Sequence, residues 1–359
     1  MRGLAWLRTP YGHGATREEG RVDHRLSGRD AVALAVAVLR AHRTSEVNAQ
    51  AVADAVVAAE RAGHSGHGLA RLPTYAAQAW SGTVDGAATP VVEEVAPAVV
   101  RVDACDGFAY PALRRAIAAV DERARASGVA VAAVHRSHHV GAAGHHVAEL
   151  ARRGLVGLLF ANTPAGIAPW GGRRAVVGTN PIAFAAPRQQ HPPLVVDLSM
   201  SRVARGRVMV ARREGTRIPA DWAVDAEGHP TTDPQRAMDG SMRPMGDAKG
   251  AALALMVEVL AAGLTGAQLG VDATSFFATD GAPPRVGQLL IAIAPGPVSG
   301  GAFAARLEAL CDAVLAQEGA RLPGARWGAV HEHGVTGGEV FIPGGLHAEL
   351  RALAGSPPA

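Results

Sequence analysis

An α/β (α+β) fold is what the sequence predicts, on three observations. Segments with helical spacing of apolar residues carry start and stop signals, such as Thr44-Ser45 before one and Gly63 at its end. Short apolar runs, Val129–Val134 and Leu155–Phe160, have the length of buried strands and are flanked by turn-forming residues. No internal repeat or heptad run competes with this reading. The chain's 359 residues, 48% of them hydrophobic, supply core for one large domain or two smaller ones.

In chain order, residues 1–24 are expected to be a disordered extension, and the apolar stretch Leu4–Leu7 is too short for a secretory h-region. Residues 28–43 and 46–63 read as helices, followed by a dense turn, GHSGHG, at 63–68. Pro111 opens an amphipathic helix that stops at Gly128. Strand Val129–Val134 leads into a histidine-rich turn, 135–146, and a helix to about Arg153. Leu155–Phe160 is a second buried strand, broken at Asn162-Thr163-Pro164, and a glycine loop follows at Pro169–Gly172. Ile182–Ala186 and Leu194–Leu198 are strands on either side of a polar turn. Residues 201–213 are weakly helical, and 215–246 form an irregular excursion of a length that usually serves function. Ala248–Leu264 reads as an apolar helix buried on most faces, Gly287–Ile293 as a late strand and 302–318 as a closing helix before a Gly- and Pro-rich tail. The strands can pair either way.

Composition narrows the function. Charged residues are 19% of the chain, too evenly mixed with apolar ones for a disordered protein. Arginines are scattered and aromatics are only 4%, so no stacking platform lines a basic groove and nucleic-acid binding is not expected. No apolar run approaches the roughly 18 residues of a membrane span. Cys105 and Cys311 lie far apart without CxxC spacing, which fits a reducing, cytoplasmic setting. Of 35 basic residues only Lys249 is lysine. Its survival points to a site that needs a compact ammonium, unless it is chance in an arginine-biased chain.

Histidines cluster as His64 and His67, then His135, His138, His139, His145 and His146, with His331 and His333 near the end. Zinc binding would suit imidazoles, but there is no HExxH, no carboxylate at metal spacing and no nearby cysteine, so no metal site is assigned. Acid/base chemistry at a carbonyl needs only one or two of them, and most of the others are ordinary structural histidines. The HVGAAG turn (139–144) opens a helix after a strand, as an anion site requires. It is not GxGxxG, and no acidic residue follows at the Rossmann distance.

Several blocks together resemble the malate/L-lactate dehydrogenase-like family. They are GHGLARLPTY (66–75), RSHHVGAAG (136–144), APWGG (168–172), VGTNPIAFAAP (177–187), VVDLSMSRVARGRV (195–208), PMGDAKG (244–250) and RLPGAR (321–326). SGTVDG (81–86) is most similar to the piperideine-2-carboxylate reductase branch, and VDATSFF (271–277) to sulfolactate dehydrogenase members. The resemblance implies a non-Rossmann nicotinamide-binding fold with a largely antiparallel central sheet, a helical N-terminal region and a homodimeric state. It implies an N-terminal helical region at 25–95, a cofactor-binding and catalytic region at 96–300 and a C-terminal helix and tail at 301–359. His67, His139 and Asp197 are implied as catalytic, with His67 preferred over His139 as proton donor. Arg71, Tyr75 and Gly66 are implied at the substrate. Contacts to the cofactor are implied for His139, Gly141, Asn162, Thr179, Asn180, Asp197, Leu198, Ser199, Lys249, Pro323, Gly324 and Arg326.

Three positions depart from the family pattern. Gly66 replaces the serine of Ser-His-Gly, Gly246-Asp247 replaces Gly-Gly, and Ala325 replaces the glutamate of the PGER block. The expected activity is hydride transfer between NADP or NAD and a small 2-oxo or 2-hydroxy acid of malate, lactate or sulfolactate type. NADP is favoured because Arg202, Arg205 and Arg207 can meet a 2′-phosphate. The alternatives are a cyclic imino-acid reductase, a metal-dependent hydrolase built on His135–His146, and a non-catalytic dimer that keeps the fold.

Overall fold

Two serines set the first helical layer. Ser27 and Ser45 accept the N–H groups of Asp30 and Asn48, opening α1 (Gly28–Ala41) and α2 (Glu46–Arg61) where the sequence places them. The structure, a computed structural model, describes residues 23–355. The expected extension therefore lies outside the described residues up to position 22, and its last two residues begin strand β1 (Asp23–Ser27). Two single 3-10 turns, Ser65–His67 and Leu69–Arg71, lead into α3 (Leu72–Ser81).

The central sheet begins with a hairpin absent from the sequence reading, β2 (Val91–Ala96) and β3 (Val99–Asp103). α4 (Ala109–Ser127) then crosses over to β4 (Val129–Ser137), which pairs parallel to β3. α5 (Ala143–Arg152), β5 (Val156–Ala161), β6 (Ile182–Ala186) and β7 (Leu194–Leu198) follow. The excursion holds α6 (Arg205–Glu214), β8 (Ala223–Val224), α7 (Pro234–Asp239) and β9 (Ser241–Met242). α8 (Ala248–Glu258) runs into a π-turn at Val259–Gly263, and β10 (Val286–Ile293) returns to the sheet. Strand order is β2-β3-β4-β10-β5-β6-β7, and every neighbouring pair except β3–β4 is antiparallel. The expectation of a largely antiparallel sheet holds.

One face of this sheet packs on α4 and α5 through Leu113, Ile117, Val120 and Leu150, all buried with Leu159 and Leu290. On the other, Val257 and Ala261 cover Phe160 and Leu289. The final stretch comprises α9 (Pro295–Ser299), α10 (Phe303–Leu315), α11 (Ala325–His333), β11 (Glu339–Pro343) and α12 (Gly344–Gly355).

One element goes beyond the sequence reading, and one expectation is corrected. The Gly- and Pro-rich tail is structured: β11 pairs antiparallel with β1, burying Val340 and Ile342 while Phe341 stays exposed. Two inward positions in five residues are too short a pattern to read through the surrounding glycines. α8 is not buried on most faces. Ala251, Ala254 and Val257 point inward, but Leu255 (58% exposed) and Val259 (59%) face outward. Among the described residues no helix is long and apolar enough to cross a membrane.

Candidate active site

α2 ends at Gly63, whose φ of +76° suits glycine, and the two 3-10 turns that follow carry His67 and Arg71. Glu60 clasps this loop by accepting the Leu69 N–H at 2.9 Å, and a Cβ on Gly68 would collide with its carboxylate. Burial raises the Glu60 pKa, only partly opposed by that bond. At Gly66 a Cβ would meet nothing within 4 Å, so the space for a serine exists without its hydroxyl. Ser65 is exposed.

Arg71 is 6% exposed. Its Nη2 donates to the Phe276 carbonyl at 3.0 Å, and its guanidinium lies over the rings of Tyr75 and Phe277 at 5.1 and 4.8 Å. Nε has no partner, and no carboxylate pairs with this cation among the described residues. A buried guanidinium with an unused donor is poised for an anion.

The turn after β4 brings His139 to the same place, its ring 5.5 Å from that of His67 and nearly parallel to it. His139 Nδ1 lies 2.6 Å from the Tyr75 hydroxyl, which in turn lies 3.0 Å from the Tyr110 hydroxyl. Tyr75 is fully buried behind His139. Phe276 closes the site with its ring 4.9 Å from His139. Burial first, then Arg71 and His64, push the His67 pKa down to about 4. Burial, Arg71, His67 and His138 hold His139 well below the usual imidazole range. His138 is buried with neither ring nitrogen bonded, and burial and Arg71 lower it to about 3. Both facing imidazoles are neutral at pH 7.

Asp197 on β7 accepts the Gly144 N–H, in the first turn of α5, at 2.8 Å, and burial raises its carboxyl to about 6. Gly144 is fitted between this carboxylate and Trp327, whose ring stacks on His64 at 5.4 Å. Arg326 packs against Gly63, and Gly324 (φ +78°) against the Val195 carbonyl, with Pro323 exposed beside it. The C-terminal motif thus meets the loop that carries His67. Ser199 donates to the Thr179 carbonyl at 3.2 Å, and Leu198 next to it is exposed. Gly141 (φ +69°) sits so close to Tyr110 that a Cβ would reach its hydroxyl.

Asn162 and Asn180 behave differently from the other implied cofactor residues. Asn180 Nδ2 donates to the Ala254 carbonyl and Glu258, and its Oδ1 accepts from Thr163. Asn162 donates to the Gln268 carbonyl and Glu258, and accepts from Gly287 at 2.7 Å. Both side chains are buried and engaged inside the protein. Glu258, which the sequence reading missed, joins them and also accepts the Gly270 N–H at 2.6 Å. The one signal for it is a lone acid within a long apolar helix.

Lys249 is exposed in the first turn of α8, with no ion-pair partner among the described residues. Asp247 precedes it without capping the helix, and pairs instead with Arg243 at 3.1 Å. An uncapped helix end beside an unpaired ammonium is a donor set that fits a cofactor diphosphate. The other arginines are committed: Arg202 pairs with Asp221, Arg205 donates to the Met238 carbonyl, and Arg207 stacks on Trp222. The histidines of 135–146 disperse. His135 faces Arg101 and His146 bonds the Val140 carbonyl. Among the described residues no group of three His, Cys, Asp or Glu converges as metal ligands do.

With this geometry in place, residues 26–351 match the malate/L-lactate dehydrogenase family. The chain belongs to that family. A (2R)-3-sulfolactate dehydrogenase (NADP(+)) of Chromohalobacter salexigens is 50% identical over 329 residues, covering 92% of this chain and 98% of the relative. A Delta(1)-pyrroline-2-carboxylate/Delta(1)-piperideine-2-carboxylate reductase of Pseudomonas putida is 43% identical, covering 81% and 85%. The crystal structure of delta1-piperideine-2-carboxylate reductase from Pseudomonas syringae pvar. tomato superposes with a TM-score of 0.85 at 40% identity, covering 92% and 99%.

Proposed function

We propose that the protein is an NADPH-preferring oxidoreductase that interconverts a small 2-oxo acid and its 2-hydroxy acid, with sulfolactate-type substrates foremost. The observation that carries this reading is Arg71, a buried cation without a carboxylate, set beside two facing histidines. The 50% identical relative, named for sulfolactate and NADP(+), supports the substrate and cofactor choice. The reductases at about 40% identity support a second reading, reduction of a cyclic imino acid at the same site.

Bound nicotinamide supplies or takes up the hydride. Lys249 and the α8 end would hold its diphosphate, with Ser199, the Gly141–Gly144 turn and Arg326 around it, on a sheet that is not of Rossmann type. Arg71 holds the substrate carboxylate, and the aromatic wall of Phe276 and Phe277 keeps water away. We assign the proton to His139, against the preference for His67 from resemblance. The support is the Tyr75 bond at Nδ1, which fixes the ring and leaves Nε2 for the substrate. A homodimer and a cytoplasmic location belong to the same proposal. The exposed apolar residues Leu255, Val259 and Leu264 would meet a second copy, and two free cysteines suit a reducing compartment.

NADPH and NADH oxidation against sulfopyruvate, other 2-oxo acids and cyclic imines tests this. Turnover should favour NADPH, and His139→Ala should lose roughly a hundred- to ten-thousand-fold in kcat while cofactor binding persists. A loss of that kind in His67→Ala alone would exchange the two roles. No turnover of any C=O or C=N substrate by the folded protein would remove the reading, and sedimentation as a monomer would remove the dimer.

A further inference from the structure

We propose that Tyr75 and Tyr110 form a proton path from His139 to a second, polar cavity, and that His139 acts through it as a neutral two-ended relay. The inference rests on His139 as the proton donor and concerns how a neutral ring can serve as one. Three atoms stand in line: His139 Nδ1, the Tyr75 hydroxyl at 2.6 Å, and the Tyr110 hydroxyl 3.0 Å beyond. Each hydroxyl can donate and accept, so the line conducts a proton in either direction. Tyr75 is 0% exposed and Tyr110 2%, so the path is sealed along its length.

Tyr110 also lines a cavity of about 380 Å³ between α2, α4 and α5, together with Asp54, Arg114, His145, His146 and Glu149. None of His67, Arg71, His139 or Phe276 lines it. That volume admits several waters at about 30 Å³ each. Gly141 permits the arrangement, since any Cβ there would occupy the place of the Tyr110 hydroxyl.

The need for such a path follows from the surroundings of His139. Arg71, His67 and His138 face it, and among the described residues no carboxylate does, so an imidazolium is disfavoured there. A neutral imidazole that loses its only proton would become an anion. The relay avoids both charges. The substrate carbon gains the hydride, and its oxygen or nitrogen gains the Nε2 proton. Nδ1 simultaneously takes the Tyr75 proton, Tyr75 takes that of Tyr110, and Tyr110 is refilled from the cavity. After product leaves, solvent reprotonates Nε2 and the Nδ1 proton returns along the same line. Each turnover then consumes one solvent proton and leaves both tyrosines as phenols.

Tyr110 is a positioning residue that touches neither substrate nor cofactor, and Tyr110→Phe deletes one oxygen. The parent's kcat should be flat through neutral pH. Without the relay His139 can donate only as imidazolium, so kcat of Tyr110→Phe should fall at least about tenfold at pH 7 and recover about tenfold per unit of pH decrease. Both KM values and the NADPH dissociation constant should stay unchanged. A flat variant profile, a kcat within about twofold of the parent, or a loss shared equally by cofactor binding overturns the relay. Nitrogen-15 NMR of histidines in the unliganded wild-type protein adds a readout that needs neither turnover nor a folded variant. The relay requires His139 to be neutral at pH 7 with the proton on Nε2. An imidazolium, or a proton resident on Nδ1, overturns it. Absence of turnover in the parent would instead sink the functional reading.

Discussion

Lys249 shows what a single residue contributes. A guanidinium in its place would carry the same charge, but in a planar fork about a different point, so retention of lysine in a chain of arginines implies a site shaped to an ammonium. Its place beside the uncapped start of α8 gives that inference a structural basis. Lys249→Ala is expected to raise the cofactor KM about tenfold or more while the KM for the 2-oxo acid changes little, and Lys249→Arg should restore little of the loss. Steady-state kinetics with each partner varied in turn decides it, and full activity with arginine would return the lone lysine to chance. Arg202, Arg205 and Arg207 teach the opposite lesson. Their sequence position beside the cofactor block suggested a 2′-phosphate site, but each has found a partner within the chain. Charge type is legible in a sequence. Whether a charge is already spent is not.

Elements with strong local signals were legible, and those assembled from distant partners were not. α1, α2 and α4 announce themselves through caps at Ser27 and Ser45 and through the Gly128 stop. The hairpin β2–β3 carries Glu93 and Glu94 on a largely exposed edge, so its alternation is weak, and β11 is defined mainly by its pairing with β1. In the site, the turn at 63–68 was legible, but the way it joins His67 to Arg71 was not. The two converge from separate 3-10 turns broken at Gly68. The Asn162–Asn180–Glu258 clasp was not legible, because motif position cannot tell a ligand contact from an internal bond. This clasp ties the ends of β5 and the Thr179 turn to α8, and through α8 it places Lys249. Glu258→Ala takes one acceptor from each of three donors, leaving the Gly270 N–H and one amide hydrogen each of Asn162 and Asn180 unsatisfied, at about 1–3 kcal/mol each when unrelieved. A loss of about 3 kcal/mol or more in a urea denaturation is therefore expected, with cofactor affinity falling alongside it. A loss under about 1 kcal/mol would mean that the clasp is incidental to the fold.

Across the whole molecule, the buried histidines set how stability should respond to pH. His67 and His146 are held at about 4 and His138 at about 3, in each case with burial as the leading cause. Each lies below the value of about 6.5 expected in the unfolded chain. Between those values the unfolded state binds more protons than the folded one, so the stability these groups contribute is complete above about pH 6.5. It is lost progressively as pH falls toward 4 and then 3. Asp197 works the other way. Burial raises its carboxyl to about 6, so acidification from there toward its unfolded value favours the folded state and offsets part of the loss. Glu60, raised by burial as well, acts in the same sense as Asp197; several histidines against these two carboxyls leave a net decline, and it falls above the range near 4 where ordinary carboxylates begin to titrate. The urea midpoint should therefore drop between pH 6.5 and 5, and His138→Phe, which removes a buried imidazole with neither nitrogen bonded, should make that drop shallower. A midpoint constant from pH 8 to 5 in the parent, or an equal slope in the variant, would show that these rings take up protons in the folded protein without strain.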